Sequence, residues 1–460
     1  MVTHVEEIPY TDPTDTFAAL AGEPFSLFFD SALESARLGR YAYIAAFPYR
    51  TLTAKDGVVV LDGQRFEGDP FAVLRAELAC ARRPTLARLP PFQGGAAGYF
   101  GYDLCHHLET LPAPAVDDMG FDDMAVGFYD AIAAFDLIER RAWLIAHGDR
   151  AAQRAGALGE RLGDRPPAMS PPPLLEWTSN FSRAEYEAAV ARAIDYIHAG
   201  DIFQVNLAQR FEGALPAGAE PYAMYRRLRS VNAAPFAAYL NLGDTHILSS
   251  SPERFLKLTG DAVETRPIKG TRPRGRSPAE DAALAENLLA SEKDRAENVM
   301  IVDLLRNDIS KACRDHSVAV PELCRLESYA RVHHLVSTVT GRLREGMDAV
   351  DLIRACFPGG SITGAPKVRA MEIIAELEPT RRGPYCGAIG FIGFDGAMDS
   401  NIAIRTLALK DGRAVFQAGG GIVADSEPAS EYDETLAKAE ALFACFEATP
   451  PRLDRMTAAT

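Results

Sequence analysis

Lys269 lies in the run Thr265-Arg266-Pro267-Ile268-Lys269-Gly270-Thr271, and a lysine beside Gly and Thr on an extended segment is a candidate nucleophile. An amine attacks carbon only when neutral, so its site must disfavour the ammonium by desolvation or by nearby like charge. Arg266, Arg272, Arg274 and Arg276 crowd the same stretch, and any of them folded close to Lys269 would push its proton off. The alternative is a solvated basic loop without chemistry.

Two pairs of acids, Asp294 with Glu297 and Glu431 with Glu434, are each three residues apart. On a helix that spacing puts both carboxylates on nearly the same side. Glu297 is flanked by Met300, Ile301, Leu304 and Leu305, and Glu434 shares its face with Ala437, Lys438, Ala441 and Leu442. A carboxylate on an apolar stripe is costly to bury unless it is paired or bound to metal. Brought together, two such helices would offer oxygen ligands only, which favours a hard cation, and Mg²⁺ takes one or two carboxylates while keeping waters. Surface acids balanced by the helix dipole would look the same.

Glycines add a third element. The run Phe357-Pro358-Gly359-Gly360-Ser361-Ile362-Thr363-Gly364-Ala365-Pro366-Lys367 leads into a helix near Pro366, whose amides can cradle an anion. Ala365 stands where a P-loop needs Lys, so nucleoside triphosphate binding is not implied. Gly419-Gly420-Gly421 follows an expected strand and lets backbone approach a ligand. Arg405 sits in an otherwise apolar expected strand and invites a carboxylate partner. Tight turns and a structural ion pair would explain these features as well.

The elements that must position these residues follow from periodicity and punctuation. Strands are expected at 41–47, 58–61, 125–137, 204–211, 237–242, 246–250, 387–394, 402–410 and 413–418, and a helix at 70–81. Ser182 and Ser277 each open a capping box, the first starting a helix to about 199, and further helices start at Ser291 and Ser430. Neighbouring strands joined by tight turns argue for antiparallel pairing and an α+β fold. A Pro-rich connector at 166–176 separates an N-terminal region, 1–165, from a catalytic region, 177–448, followed by a tail at 449–460.

With 460 residues and 47% hydrophobic content, the chain can bury a sizeable core. A net charge of −15 argues against a nucleic-acid or anionic-membrane surface, while leaving room for a small anionic substrate in a local basic pocket. No apolar run is long enough to span a membrane, and residues 1–10 lack the pattern of a secretory signal, so a cytoplasmic location is expected. The seven cysteines are scattered without CxxC spacing and read as buried free thiols.

Together these strings resemble the chorismate-utilising enzymes, the family of anthranilate, isochorismate, salicylate and aminodeoxychorismate synthases. The resemblance covers about 182–447. It runs through Asp201-Ile202-Phe203-Gln204-Val205-Asn206, Ser251-Pro252-Glu253-Arg254-Phe255, 293–308, 357–367, Arg382-Gly383-Pro384-Tyr385-Cys386-Gly387-Ala388, Ile404-Arg405-Thr406 and 418–438. It implies large antiparallel sheets in a sandwich-like core flanked by helices, with the N-terminal region completing the sheet. Pro267-Ile268-Lys269-Gly270-Thr271 differs from the Pro-Ile-Ala-Gly-Thr of anthranilate-forming members and is similar to the string of members that make 4-amino-4-deoxychorismate for 4-aminobenzoate and folate.

By that resemblance Lys269 attacks C2 of chorismate as the C4 hydroxyl leaves, and ammonia then adds at C4. Glu253, sixteen residues earlier, would be the general acid/base, with a pKa raised by burial. Glu297 and Glu434 match magnesium ligands, supported by Asp294 and Glu431. Arg405, Tyr385, Lys438 and the amides of Gly420 and Gly421 match positions that hold substrate carboxylates. His334 matches the family's active-site histidine, Thr363 and Gly364 line the ring pocket, and His333 reads as a structural neighbour. The chain lacks a glutaminase nucleophile elbow and has too few residues after 448 for a fused lyase, so a separate glutamine amidotransferase subunit and release of 4-amino-4-deoxychorismate are expected. Phe28-Phe29-Asp30-Ser31 loosely resembles a family string lining a tryptophan pocket, which makes Ser31 a candidate effector residue or an ordinary buried strand end. Two rivals stay open: an anthranilate-forming member, and a non-catalytic ligand-sensing subunit.

Overall fold

The computed structural model of the chain describes residues 2–35, 37–112, 116–165, 169–329 and 332–446. The start of the Pro-rich connector at 166–168 and the tail at 449–460 lie outside the described residues.

Two 12-stranded antiparallel sheets carry the fold. The first runs Thr3–Ile8, Arg141–His147, Ala131–Asp136, Tyr41–Ala45, Ser26–Asp30, Phe236–Asn241, Thr245–Ser251, Thr406–Lys410, Arg413–Ile422, Gln204–Ala214, Trp177–Ser179, with Gly364–Ala365 also on Gln204–Ala214. The second runs Ile268–Pro273, Val332–Arg342, Ala262–Arg266, Arg254–Thr259, Met398–Ile402, Ala388–Gly393, Gly95–Phe100, Met124–Tyr129, Arg50–Lys55, Val58–Leu61, Gln64–Glu67, with Ala319–Ser328 added on Val332–Arg342. Each sheet takes strands from both sides of the connector: Ser26–Asp30 pairs with Phe236–Asn241, and Gly95–Phe100 with Ala388–Gly393. Apolar residues alternate inward along these strands and meet between the layers, where Leu27, Tyr43 and Leu240 of one sheet pack with Tyr99, Ile389 and Phe391 of the other. Phe92 stacks on Phe391 with ring centroids 4.5 Å apart.

The chain crosses between sheets at sites that sequence periodicity read as continuous strand. The expected strand 125–137 is broken at Asp130, where Met124–Tyr129 of the second sheet passes into Ala131–Asp136 of the first. The expected strand 402–410 is broken at 403–405, because Arg405 takes φ +53°, a left-handed conformation that cannot continue a strand.

Helices cover the outer faces. Ser182 and Glu185 close a reciprocal capping box on Arg183–His198, and Ser291 accepts the Asp294 amide at the head of Glu292–Ser310. Ser277 caps Pro278–Ala290 through the Glu280 amide, but the Glu280 carboxylate accepts from the Arg276 amide and leaves the expected box half made. The last helix, Pro428–Phe443, starts two residues before Ser430, since Pro428 is preset for the first helical turn. No helix among the described residues is long and apolar enough to cross a membrane. Six cysteines are buried free thiols, whereas Cys80 is exposed at the end of Pro70–Cys80, against expectation.

Candidate active site

Lys269 stands on the edge strand Ile268–Pro273 at a bulge. Ile268 faces Val336 while Thr271 faces His334, so this strand holds one residue more than its partner. Gly270 absorbs the irregularity at φ +84°, and a Cβ there would come within 3.0 Å of Asp294 Cβ. The bulge turns the Lys269 amine toward the glycine strand, 3.4 Å from where a Cβ on Gly421 would lie. Burial is the largest influence on this ammonium and lowers its pKa; Glu297 opposes, Lys438 adds to the lowering, and Glu253 and Glu434 oppose. The like charge is therefore Lys438 and not the neighbouring arginines, which are engaged or far out. Arg266 pairs with Glu327 at 2.5 Å, Arg272 with Asp294 at 3.0 Å and Arg274 with Asp281 at 2.7 Å, and Arg276 is exposed.

Glu253 lies where the chain leaves the first sheet for the second, and Arg405 where it returns. The two crossings run side by side: the Ile402 amide donates to the Glu253 carbonyl at 3.0 Å, and the Ser250 amide to the Arg405 carbonyl at 3.0 Å. The Glu253 carboxyl is buried, and burial raises its pKa to about 7 against the Ser361 hydroxyl, the Lys269 charge and the Ile268 amide. Next to it, Arg254 grips Asp399 at 2.9 and 3.0 Å and so fixes the crossing. Arg405 does not meet the carboxylate that its sequence context invites. Its guanidinium donates to the Lys438 carbonyl, and it forms no ion pair with an acid among the described residues. Burial lowers its pKa, with Tyr385 opposing. Tyr385 is buried on the adjoining turn, which is tied to the Arg405 crossing by the Cys386 amide donating to Ala403 at 2.9 Å.

His334 hydrogen-bonds Thr271 through Nδ1 at 2.8 Å, and burial together with Arg405 brings its pKa down to about 4, so the imidazole is neutral. His333 points elsewhere, toward Ser328 at 2.7 Å and Asp281 at 3.0 Å.

The acidic helices close the other side. A Cβ on Gly420 would lie 2.9 Å from Glu431 Oε2, 3.7 Å from Lys438 Nζ and 3.8 Å from Glu434 Oε1, so three side chains converge where glycine leaves room. Lys438 Nζ pairs with Glu434 at 2.6 Å and donates to the Gly419 carbonyl at 2.9 Å. The expectation that Glu434 lies on the buried stripe is corrected. Its side chain is 53% exposed, and the stripe of this helix is Tyr432, Leu436, Ala439 and Leu442. Glu431 is the buried member, accepting the Ser426 hydroxyl at 2.6 Å. Partial desolvation would raise the Glu434 pKa, but Lys438 and the more distant charges of Lys293 and Lys269 bring it below the usual value.

Residues 29–444 match the family described as chorismate binding enzyme. The chain belongs to that family. It is 45% identical over 427 residues to aminodeoxychorismate synthase component 1 of Klebsiella aerogenes, covering 92% of this chain and 94% of that one. It is 42% identical over 453 residues to anthranilate synthase component 1 of Thermus thermophilus, covering 95% of each. The crystal structure of anthranilate synthase component I from Streptococcus pneumoniae TIGR4 matches with a TM-score of 0.80 at 34% identity, covering 89% of this chain and 93% of that one.

For a chorismate-binding enzyme the donor set suits a hard cation. The Glu297 and Glu431 carboxyls are raised first by burial and further by neighbouring carboxylates, Asp294 and Glu434 for Glu297 and Glu434 for Glu431, a repulsion that a cation would relieve. Among the described residues no three His, Cys, Asp or Glu side chains converge into a protein cage. Mg²⁺ keeps waters beside one or two carboxylates.

The glycine-rich loop pairs through Gly364–Ala365 with the strand Gln204–Ala214, which lies beside the glycine strand. Thr363 is fully buried and donates to the Gly359 carbonyl at 3.0 Å, while a Cβ at Gly364 would strike the Gln204 carbonyl and lie 2.8 Å from Ala370 Cβ. The Ser31 hydroxyl donates to the Tyr41 carbonyl at 2.7 Å just after the end of Ser26–Asp30. Sequence reasoning missed Ser361, Lys293, Ser426 and Gln204. Gln204 and Asn206 carried a signal, two polar residues at strand spacing facing the glycine strand; the Gln204 Oε1 and Asn206 Nδ2 atoms are buried without a hydrogen-bond partner among the described residues.

Proposed function

We propose that this chain aminates chorismate to 4-amino-4-deoxychorismate, the precursor of 4-aminobenzoate in folate synthesis. The observation that carries the reading is the Lys269 amine, aimed by its bulge at the glycine strand and accompanied by Glu253 and Lys438. Overall identity does not separate the family's branches, since 45% and 42% are nearly equal. A desolvated amine at this position does, because it supplies a nucleophile that an alanine cannot.

In the first step neutral Lys269 forms a bond to ring C2, the ring double bonds shift toward C4, and the C4–O bond breaks. The leaving hydroxyl takes the Glu253 proton. Ammonia then bonds to C4, the double bonds shift back, the C2–N bond to Lys269 breaks, and Glu253 recovers a proton from the new amine, so chorismate and ammonia become product and water. Arg405, free of acidic partners among the described residues, and Lys438 take the substrate carboxylates, and the Gly420 and Gly421 amides line their approach. Magnesium held at Glu297 and Glu434 would offset a substrate carboxylate's charge. Ammonia is assigned to a separate glutamine amidotransferase subunit, in keeping with the "component 1" of the relatives' names. The free thiols fit a reducing cytoplasm.

The test is product analysis with chorismate, Mg²⁺ and ammonium. Chromatography is expected to show 4-amino-4-deoxychorismate; anthranilate fluorescence would favour the tryptophan branch, and no turnover a sensing subunit. With amine withheld, intact mass spectrometry should show chorismate less water on Lys269, and Lys269→Ala should abolish it. Full aminodeoxychorismate formation by Lys269→Ala would refute the lysine's role.

A further inference from the structure

Glu378 and Arg382 form an ion pair at the heart of the catalytic half, with side chains only 5% and 1% exposed. Glu378 ends the helix Lys367–Leu377, and Arg382 meets it twice, at 2.8 and 2.7 Å. The guanidinium also donates to the Ile362 carbonyl at 3.1 Å and to the Asn206 carbonyl at 2.8 Å. Glu378 in turn accepts the Ala208 amide at 2.9 Å, and the Arg382 carbonyl accepts Gln417 at 3.0 Å. The pair's side chains thus fasten the Thr363 loop and the strand Gln204–Ala214 to the turn that carries Tyr385, and the Arg382 backbone carbonyl adds the strand Arg413–Ile422. From the N-terminal region, Asp103 accepts the Gly383 amide of that turn at 2.7 Å.

Stability alone is a weak reason to bury such a pair, because matched apolar residues are often as stable. What apolar residues cannot do is hold the Ile362 carbonyl of the loop in fixed relation to the Asn206 carbonyl and Ala208 amide of the neighbouring strand. We infer that the Arg382–Glu378 pair, backed by Asp103, is a positioning device for substrate. It sets Tyr385 and Thr363 relative to the glycine strand, so that losing it weakens chorismate binding more than the chemistry at Lys269. The inference rests on reading Tyr385 and Thr363 as substrate contacts.

The double variant Arg382→Met/Glu378→Leu removes both charges without stranding either. KM for chorismate should rise about tenfold or more while kcat changes less than about threefold, the signature of lost uniform binding. Asp103→Ala should raise KM in the same direction, and Asp103→Asn, which keeps an acceptor for Gly383, should restore it. Calorimetric titration of chorismate into the same variants on a Lys269→Ala background should show the matching affinity loss without turnover. A folded double variant that binds chorismate like its parent overturns the inference; if that variant does not fold, equal impairment of Asp103→Ala and Asp103→Asn overturns it. A wild-type protein that binds chorismate but forms another product would sink the proposed function and leave this affinity test valid.

Discussion

At the scale of single residues, Glu253 and Lys269 are one coupled pair. Each ion would favour the other, but burial pushes the acid's pKa up and the amine's down, both toward the protonated acid and neutral amine that the first step requires. Adduct formation should therefore slow as pH rises through about 7, where Glu253 gives up its proton. Glu253→Gln should lower the rate by about 10²–10⁴ and erase the alkaline limb. The profile is best measured as adduct formation without amine, where ammonia does not titrate; a limb that survives in Glu253→Gln would assign the acid elsewhere. Glu297→Gln should weaken Mg²⁺ affinity in calorimetry, and an unchanged isotherm would remove Glu297 from the ligands.

At the scale of elements, two irregularities make the site: the bulge at Lys269 and the paired crossings at Glu253 and Arg405. A regular strand would send successive side chains to alternate faces, and the extra residue re-aims the amine. Gly270→Ala places a side chain at φ +84° and within 3.0 Å of Asp294 Cβ. It should destabilise the protein by about 1–3 kcal/mol and slow adduct formation more than tenfold, by about the amount expected of a displaced nucleophile. Thermal unfolding and the adduct rate check the two effects separately, and a stable, fully reactive Gly270→Ala would show that the bulge does not aim the amine.

At the scale of the whole molecule, both sheets are built from both regions, so the N-terminal strands and the catalytic strands stand or fall together. Charge clasps reinforce the join. Burial would raise the Asp118 pKa, but hydrogen bonds and charge from Arg210 and Arg413 hold it at about 2. With a folded pKa below the unfolded value of about 3.9, the carboxylate adds stability above that pH, lost as pH falls from about 4 to about 2. Because Asp118 is 32% exposed, solvent screening limits the contribution to about 1 kcal/mol. Asp118→Asn should lose that much in chemical denaturation at pH 7 and nothing near pH 2; an equal loss at both would assign the effect to packing.

The sequence by itself determined the local facts: the amine in its run, acids three apart on two helices, the Ser182 and Ser291 caps, and the strings that identify the family. These are legible because helical and strand periods relate residues a few positions apart. Tertiary structure alone decided that Lys438, and not the arginines beside Lys269, supplies the like charge, that Arg405 sits on a left-handed crossing without an acidic partner among the described residues, and that Glu378 and Arg382 tie the Tyr385 turn to the Thr363 loop and two strands. Each of these depends on register and on where the chain passes between sheets, which bring together residues scattered along the chain and leave no periodic trace in it.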